Sequence, residues 1–219
     1  MNPSETTSTN GLSALDALRR FARPRPQPAA HRCELCALPL ADEHLHLYEP
    51  AARQLVCCCD ACSMLFPGQQ QGRFRRVPRR IVALDDFSVS NEVWSGFHLP
   101  INLAFFVERE NPRQMIAAYP SPAGAVESPV DDEPWQQLVH DHPALAQLEP
   151  EVEALLVNRV GARREYYLAP IDVCFNLVGL IRMSWRGLSG GSKVWIEIAK
   201  FFDGLQARAQ RSQGGQRAS

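Results

Sequence analysis

The chain has 219 residues, of which 45% are hydrophobic, and its formal net charge is −1. This length suits one well-packed domain with a small additional module, and the near-neutral charge argues against bulk attraction to nucleic acid or anionic lipid. Residues 1–10 lack the features of a secretory signal, and the longest apolar stretch, 171–183, is short and interrupted by polar residues. We therefore expect a cytoplasmic protein without a membrane span.

Residues 1–30 are expected to form a flexible N-terminus. Leucines at helical spacing after Ser13 predict a short helix over residues 11–22. The alternating Arg/Pro run at 23–28 predicts an extended linker.

Two Cys-x-x-C pairs, Cys33 with Cys36 and Cys59 with Cys62, are the most informative pattern in the sequence. In a reducing compartment such cysteines favour a metal over disulfides. Two residues between cysteines let both sulfurs reach one ion from a tight turn, and two such turns complete a Cys₄ shell. A closed shell leaves no position for a substrate, so the pattern predicts a structural site.

The segment between the cysteine pairs predicts a β-hairpin. Residues 43–48 alternate polar and apolar side chains, residues 53–57 form a second extended run, and 49–52 provide a turn. With one cysteine pair on each side, residues 31–70 are predicted to form a zinc-ribbon or treble-clef-like module. So small a module buries too little apolar surface to be stable without its ion.

Other ligands and metals remain open at this point. Cys57 is a possible alternative ligand, and His31, His44 and His46 are further possibilities, although we expect these histidines to be exposed on the hairpin because four thiolates already satisfy the ion.

Zinc is the expected cofactor, with iron in a rubredoxin-type centre as the alternative. Rubredoxin knuckles usually carry proline after the first cysteine and glycine after the second. Here Glu34 replaces the proline, and Ala37 and Ser63 replace the glycines, which weakens the redox alternative because glycine lets backbone amides approach the sulfurs.

Residues 73–208 are predicted to form a mixed α/β domain with C-terminal helices, so the fold class is α+β. The predicted strands are 76–84, 101–109, 114–119 and 165–168. The predicted helices are 91–97, 133–140, 171–185 and 192–208. Residues 209–219 are expected to be a disordered tail.

A dense run of arginines follows the cysteine module. Its members are Arg73, Arg75, Arg76, Arg79 and Arg80. Such a run beside a zinc ribbon suits a nucleic-acid-binding regulator. The neutral chain and the acidic residues nearby favour an exposed strand edge or a patch that meets an acidic protein partner.

A glycine-rich turn between the last two predicted helices is a possible anion or partner site. Its residues are Arg186, Gly190, Gly191, Ser192 and Lys193. Backbone amides at a helix N-terminus, with a lysine nearby, could hold an anion. A tight turn with Ser192 as N-cap explains the pattern equally well.

No catalytic arrangement emerges from the sequence. Cys174 lies among apolar residues, a setting that raises a thiol pKa and is typical of a buried structural cysteine. No nucleophile with an identifiable base is found, so we favour a protein that is not an enzyme, and an enzyme that uses the glycine-rich turn as an anion site is the open alternative.

Eight stretches of the sequence are distinctive when taken together: 33–36, 44–47, 57–62, 119–125, 153–159, 177–182, 185–191 and 194–195. They resemble an uncharacterised protein family encoded beside nickel–iron hydrogenase genes of the actinobacterial, high-affinity type. The similarity covers about residues 18–202, and the cysteines match the family pattern with Cys58 as an extra. The resemblance implies an accessory role in making, assembling or electronically connecting a hydrogenase, on the basis of gene neighbourhood. No catalytic residue is established for that family, so none is transferred.

The sequence thus predicts a non-enzymatic accessory protein in which zinc shapes a surface that docks on a hydrogenase subunit or a maturation factor. A rubredoxin-like electron carrier and a zinc-ribbon nucleic-acid regulator are the alternatives.

Overall fold

The computed structural model describes residues 31–67, 72–187 and 190–211. Within these ranges the chain is an α+β protein with two sheets, five α-helices and one 3₁₀-helix. We call residues 31–67 the metal module and residues 72–211 the main domain. The helix and linker predicted within residues 1–30 lie outside the described residues, as do 212–219 of the predicted tail.

The metal module is built on a β-hairpin. Strands β1 (Leu45–Glu49) and β2 (Gln54–Cys58) pair antiparallel, and helix α1 (Asp60–Leu65) follows. The short strand β3 (Arg75–Arg76) adds to the other edge of β1, so the order of this sheet is β2-β1-β3. The predicted hairpin is confirmed.

The main domain is built on a seven-stranded sheet of order β10-β4-β9-β8-β5-β6-β7, in which only the β10–β4 pair is parallel. Its strands are β4 (Val82–Ala83), β5 (Leu103–Glu110), β6 (Arg113–Ser121), β7 (Gly124–Pro129), β8 (Glu153–Asn158), β9 (Glu165–Pro170) and β10 (Gln210–Arg211). Its helices are α2 (Asn91–Gly96), α3 (Asp132–Asp141), the 3₁₀-helix Pro143–Gln147, α4 (Ile171–Ser184) and α5 (Gly191–Arg208). The four helices predicted here are therefore present, with ends that differ by one residue.

Both faces of the central strands are buried. Along β5, Phe105 and Val107 face a core that α4 and α5 cover, whereas Ala104 and Phe106 face a second core that α2 and α3 cover. Successive side chains of a strand point to opposite faces, so burial on both sides requires an unbroken apolar run. This requirement explains the sequence of β5 and also that of β8.

The predictions for the strands and for the C-terminal tail differ from the structure in three places. The single strand predicted over 76–84 is two short strands in different sheets, since β3 pairs with β1 whereas β4 pairs with β9 and β10, and Pro78 between them argues against one continuous strand. Strands β7 and β8 were missed: β7 is rich in small and turn-forming residues, and β8 is an Ala/Leu run without alternation. The tail expected from residue 209 begins instead with Gln210–Arg211, which pair with Val82–Ala83.

The metal module is fastened to the main domain by a buried polar network. Tyr48 of β1 is fully buried in the core under α4 and α5. Its hydroxyl accepts a hydrogen bond of 2.7 Å from Arg109 Nη1 on β5. The same guanidinium pairs with the carboxylates of Glu151 (2.9 Å) and Glu127 (2.6 Å). Because Arg109 and Glu151 are both buried, their charges require each other.

Candidate metal centre

The first cysteine pair lies in a tight turn that β2 supports. Ala37 N–H donates to the carbonyl of Cys33 (2.7 Å), and Cys33 N–H donates to the carbonyl of Leu38 (2.8 Å). Glu34 N–H donates to the carbonyl of Cys57, and the Glu34 carboxylate accepts from Cys57 N–H in return. These bonds hold the turn against the end of the hairpin.

The second cysteine pair lies at the start of a helix. Cys59 is the N-cap of α1, where its sulfur accepts a hydrogen bond of 3.5 Å from Cys62 N–H. Ser63 N–H donates to the carbonyl of Cys59 and continues the first helical turn. Residues three apart on a helix face the same way, so this turn brings both sulfurs to one side.

The two turns bring the four predicted ligands together. The sulfurs of Cys33, Cys36, Cys59 and Cys62 all lie within 4.8 Å of one another. The sulfurs of Cys36 and Cys59 are 3.7 Å apart, and sulfurs bound tetrahedrally at about 2.3 Å from a zinc ion would be roughly 3.8 Å apart. The arrangement therefore fits a zinc or iron ion in a Cys₄ shell.

Burial encloses most of this cluster. Cys33, Cys59 and Cys62 are buried, whereas Cys36 is exposed. The cluster packs with the apolar side chains of the hairpin, namely Leu45, Leu47 and Val56, and with Phe74. Three of the four cysteines are thus shielded from solvent, and Cys36 is the one that solvent reaches.

The thiols of this cluster have different acidities. Burial opposes ionisation of Cys33, but hydrogen bonds from backbone N–H groups of Cys59, Leu35 and Cys36 dominate and lower the pKa of its thiol to about 6. Burial raises the pKa of Cys62, and contacts with the other thiols of the cluster raise it further. A bound cation would favour the thiolate form of all four, since metals bind cysteine as thiolate.

Cys57 does not join this cluster. Its sulfur lies instead with the imidazoles of His44 and His46, in a second group whose ligand atoms are also within 4.8 Å of one another. The three side chains are partly buried, so the expectation of exposed histidines was wrong for His44 and His46, whereas His31 is exposed as expected. Cys58 is fully buried, and its thiol donates to the carbonyl of Leu45.

The residues that replace the rubredoxin glycines behave differently from each other. Ala37 has a φ of 61°, the left-handed conformation that glycine would adopt most easily, so the first turn keeps its shape without glycine. Ser63 lies inside α1, where its hydroxyl donates to the carbonyl of Asp60, so the second pair is not in such a turn. The two halves of the cluster are therefore built in different ways.

The arginine run is largely engaged within the chain. Arg73 forms an ion pair with Glu49, and Arg75 forms one with Glu110. Arg80 makes a bidentate contact with the buried carboxylate of Glu153. These contacts neutralise three of the five charges. The remaining members, Arg76 and Arg79, are exposed.

At the glycine-rich turn, the guanidinium of Arg186 donates hydrogen bonds to backbone carbonyls of nearby residues. Its Nη1 donates to the carbonyls of Trp185 (2.9 Å) and Met183 (3.4 Å). Its backbone N–H donates to the carbonyl of Gly190 (3.1 Å), which closes the turn.

Helix α5 begins at Gly191, and Gly190 is its N-cap, so the alternative with Ser192 as N-cap was wrong. Gly190 has a φ of 83°, and a Cβ there would approach Val194 Cγ1 at 2.9 Å, so only glycine fits this position. Ser192 and Lys193 are exposed in the first turn of α5.

Cys174 is fully buried in α4, as expected for a structural cysteine, and burial raises the pKa of its thiol. Among the described residues, every helix falls short of the length and apolarity that crossing a bilayer requires.

Comparison with protein-family models gives a match over most of the chain. The model of a family of unknown function (DUF5947) matches residues 32–209, which include both cysteine pairs and nearly all of the main domain. No curated protein and no solved structure matches the chain. The chain therefore belongs to this family of unknown function.

Proposed function

We propose that the chain is a non-enzymatic, metal-binding accessory protein in which a structural zinc ion shapes a protein-docking surface. The observation that carries this proposal is the enclosed four-sulfur cluster of Cys33, Cys36, Cys59 and Cys62. Four thiolates fill the tetrahedral shell of zinc, so the ion has no open position for a substrate. Its role is then to hold the two cysteine turns and the hairpin together.

The order of elements supports a treble-clef-like module. A cysteine turn, a hairpin, and a helix that begins at the third cysteine follow one another along residues 33–65. Zinc fits this arrangement better than iron does, because the second pair starts a helix rather than forming a second glycine-type turn. The metal module would then be a zinc-dependent fold attached to a stable domain.

Exposed apolar side chains beside the cysteines support docking to a protein. Leu38 follows the first pair at 54% exposure, and Met64 and Leu65 follow the second pair at 69% and 57%. Met64 and Leu65 are consecutive at the end of α1, and adjoining exposed apolar side chains mark interaction sites more often than isolated ones do. All three lie on the segments whose positions the metal would fix.

The hydrogenase part of the proposal rests on the resemblance to a family encoded beside nickel–iron hydrogenase genes. On that basis the partner is a hydrogenase subunit or a maturation factor, and the protein acts in the cytoplasm. Deleting the gene should reduce hydrogenase activity and processing. Normal activity and processing in the deletion strain would contradict this part of the proposal.

The docking surface is tested by complementing that deletion strain. Met64→Lys should fail to restore hydrogenase processing, because it places a charge on the apolar surface without disturbing buried residues. Met183→Lys is the matched control, since Met183 is also exposed but lies on α4. Equal rescue by both variants would show that the surface beside the cysteines is not used.

The identity of the bound metal distinguishes this proposal from the alternative, a rubredoxin-like electron carrier. Purified protein should be colourless and contain zinc, since zinc has no redox chemistry and no visible absorption. A coloured protein with iron as its main metal would replace the structural proposal by electron transfer.

A further inference from the structure

A second group of metal-ligand side chains lies on the same hairpin, apart from the four-sulfur cluster. It comprises His44, His46 and Cys57, whose ligand atoms all lie within 4.8 Å of one another. His46 and Cys57 are directly opposite across β1 and β2, and His44 precedes β1 by one residue. Side chains two apart on an extended strand face the same way, so the hairpin itself assembles the group.

Hydrogen bonds fix the orientation of both imidazoles. His44 Nδ1 lies 2.9 Å from the carbonyl oxygen of Ala41, and His46 Nδ1 lies 2.9 Å from Asp172 Oδ2. Both partners are acceptors, so in each neutral ring the proton is on Nδ1 and Nε2 carries the free lone pair. Metal-binding histidines are held in this way, with the second ring nitrogen donating to a carbonyl or a carboxylate.

The Nε2 atom of His44 is buried, and its lone pair finds no hydrogen-bond partner among the described residues. A buried polar atom without a partner is costly, and most such atoms in native proteins are satisfied by protein, water or an ion. A cation held between His44, His46 and Cys57 would satisfy it.

From these observations we infer that His44, His46 and Cys57 form a second metal site for a late first-row divalent ion such as Zn²⁺. Two imidazoles and one thiolate suit such ions and do not suit Mg²⁺ or Ca²⁺, which require oxygen ligands. Three protein ligands leave a fourth position open, which is the feature that distinguishes reactive or exchangeable zinc sites from structural ones. This inference goes beyond the proposed function and does not depend on it.

The second site also joins the two regions of the molecule. Asp172, which orients His46, is in the first turn of α4 in the main domain, whereas all three ligands belong to the metal module. The Asp172 side chain is held in turn, since its Oδ1 accepts a hydrogen bond of 2.8 Å from Val173 N–H. Binding at this site is therefore sensitive to the contact between the hairpin and α4.

The stoichiometry of zinc tests the inference on the full chain. Protein equilibrated with excess Zn²⁺ and freed of unbound metal should retain two ions. His44→Ala, His46→Ala and Cys57→Ser should each retain one, while His140→Ala, a change at an exposed histidine on α3, should retain two. The one ion that each ligand variant retains reports on the four-sulfur cluster, and a circular dichroism spectrum that matches the unmodified chain shows that the secondary structure is intact.

A second variant guards against a loss caused by misfolding. Asp172→Asn keeps the shape of the side chain but weakens the support of His46, so zinc affinity at the second site should fall roughly 10–100-fold. Competition with a chromophoric chelator measures this change separately, because the four-sulfur ion should be extracted later.

Three results would overturn the second site. The unmodified chain could retain one ion in excess Zn²⁺, or the three ligand variants could each retain two. Loss of an ion in Cys57→Ser with no loss in either histidine variant would instead place Cys57 in the four-sulfur site.

Discussion

The metal module and the main domain of this protein are stabilised in different ways. In the cluster of eight buried residues at the metal module, four are cysteines: Cys33, Cys58, Cys59 and Cys62. The two cores of the main domain consist almost wholly of aliphatic and aromatic side chains on both faces of a seven-stranded sheet. Hydrophobic burial can hold the main domain, whereas the proposed function assigns to a cation the stability that the small apolar core of the metal module lacks.

A buried contact between the two regions makes this difference in stabilisation smaller. Tyr48 is a residue of the hairpin, but its side chain is buried in a core of the main domain. There its hydroxyl accepts a hydrogen bond from the guanidinium of Arg109. Part of the hairpin is therefore fastened to the main domain whether or not a metal is bound. The following experiments test how independent the two regions are.

Loss of the four-sulfur ion should have the largest effect. Structural zinc in small modules contributes an apparent binding free energy of about 10–16 kcal/mol, which is coupled to their folding. Cys36→Ser replaces an exposed side chain, so any unfolding it causes comes from loss of the ion rather than from a change in packing. We expect loss of bound metal and proteolysis within residues 31–67, while residues 72–211 stay protected.

Cys57→Ser is the control for this experiment, because it removes a thiol from the same hairpin and costs the second-site ion alone, while the four sulfurs of the cluster stay in place. It should keep the protease resistance of the metal module. If Cys36→Ser were to retain both its metal content and its resistance, the metal module would not depend on the ion.

The next largest effect is expected at the contact between the regions. Arg109→Ala leaves the buried carboxylate of Glu151 without its partner, and breaking a buried ion pair in this way costs about 3–5 kcal/mol. Urea unfolding should show this loss in the free energy of unfolding. Arg113→Ala removes an exposed partner of Glu108 on the neighbouring strand and should cost less than about 1 kcal/mol. Similar losses in the two variants would remove the special role of the buried network.

Tyr48→Phe removes one hydrogen bond from the same network and keeps the buried ring. A hydrogen bond to a charged group contributes about 1.5–3 kcal/mol, and Arg109 retains its carboxylate partners, so we expect a loss in that range. Combining Tyr48→Phe with Cys36→Ser in a double-mutant cycle measures the coupling between the regions. Strict additivity would mean that the ion and the Tyr48 contact stabilise separate units.

The smallest effect is expected in the main domain, at the start of α5. Gly190→Ala forces a left-handed conformation on alanine, which costs about 1–2 kcal/mol before any clash with Val194 is included. Gly204→Ala, in the interior of the same helix with open space around it, should instead gain about 0.5–1 kcal/mol. Thermal unfolding of both variants should therefore shift in opposite directions, and a shared direction would contradict this account of the turn.

Local patterns in the sequence were sufficient for the four-sulfur cluster and for much of the fold. The Cys-x-x-C spacing, the alternation on either side of the hairpin turn, and the helical periodicity of α3, α4 and α5 are all properties of short segments. Side chains at such spacings face the same way whatever the rest of the chain does. The positions of Cys33, Cys36, Cys59 and Cys62 could therefore be predicted without knowledge of the fold.

Tertiary structure alone decided the elements whose neighbours come from distant parts of the chain. The sequence of β8 is an Ala/Leu run without alternation. It fits a strand because both of its faces are buried, one in each core. In the sequence, the arginine run suggests a basic patch that is free to bind a partner. In the structure, Glu49, Glu110 and Glu153 form ion pairs with three of its five arginines.

The second metal site shows the same division between local pattern and tertiary structure. Its three ligands lie close together in sequence, but the feature that orients His46 is Asp172, 126 residues away. The sequence by itself determined which residues can bind a metal, because ligand chemistry belongs to single side chains. Only the tertiary structure decided which of them share an ion, because that depends on hydrogen bonds and burial from elements that folding brings together.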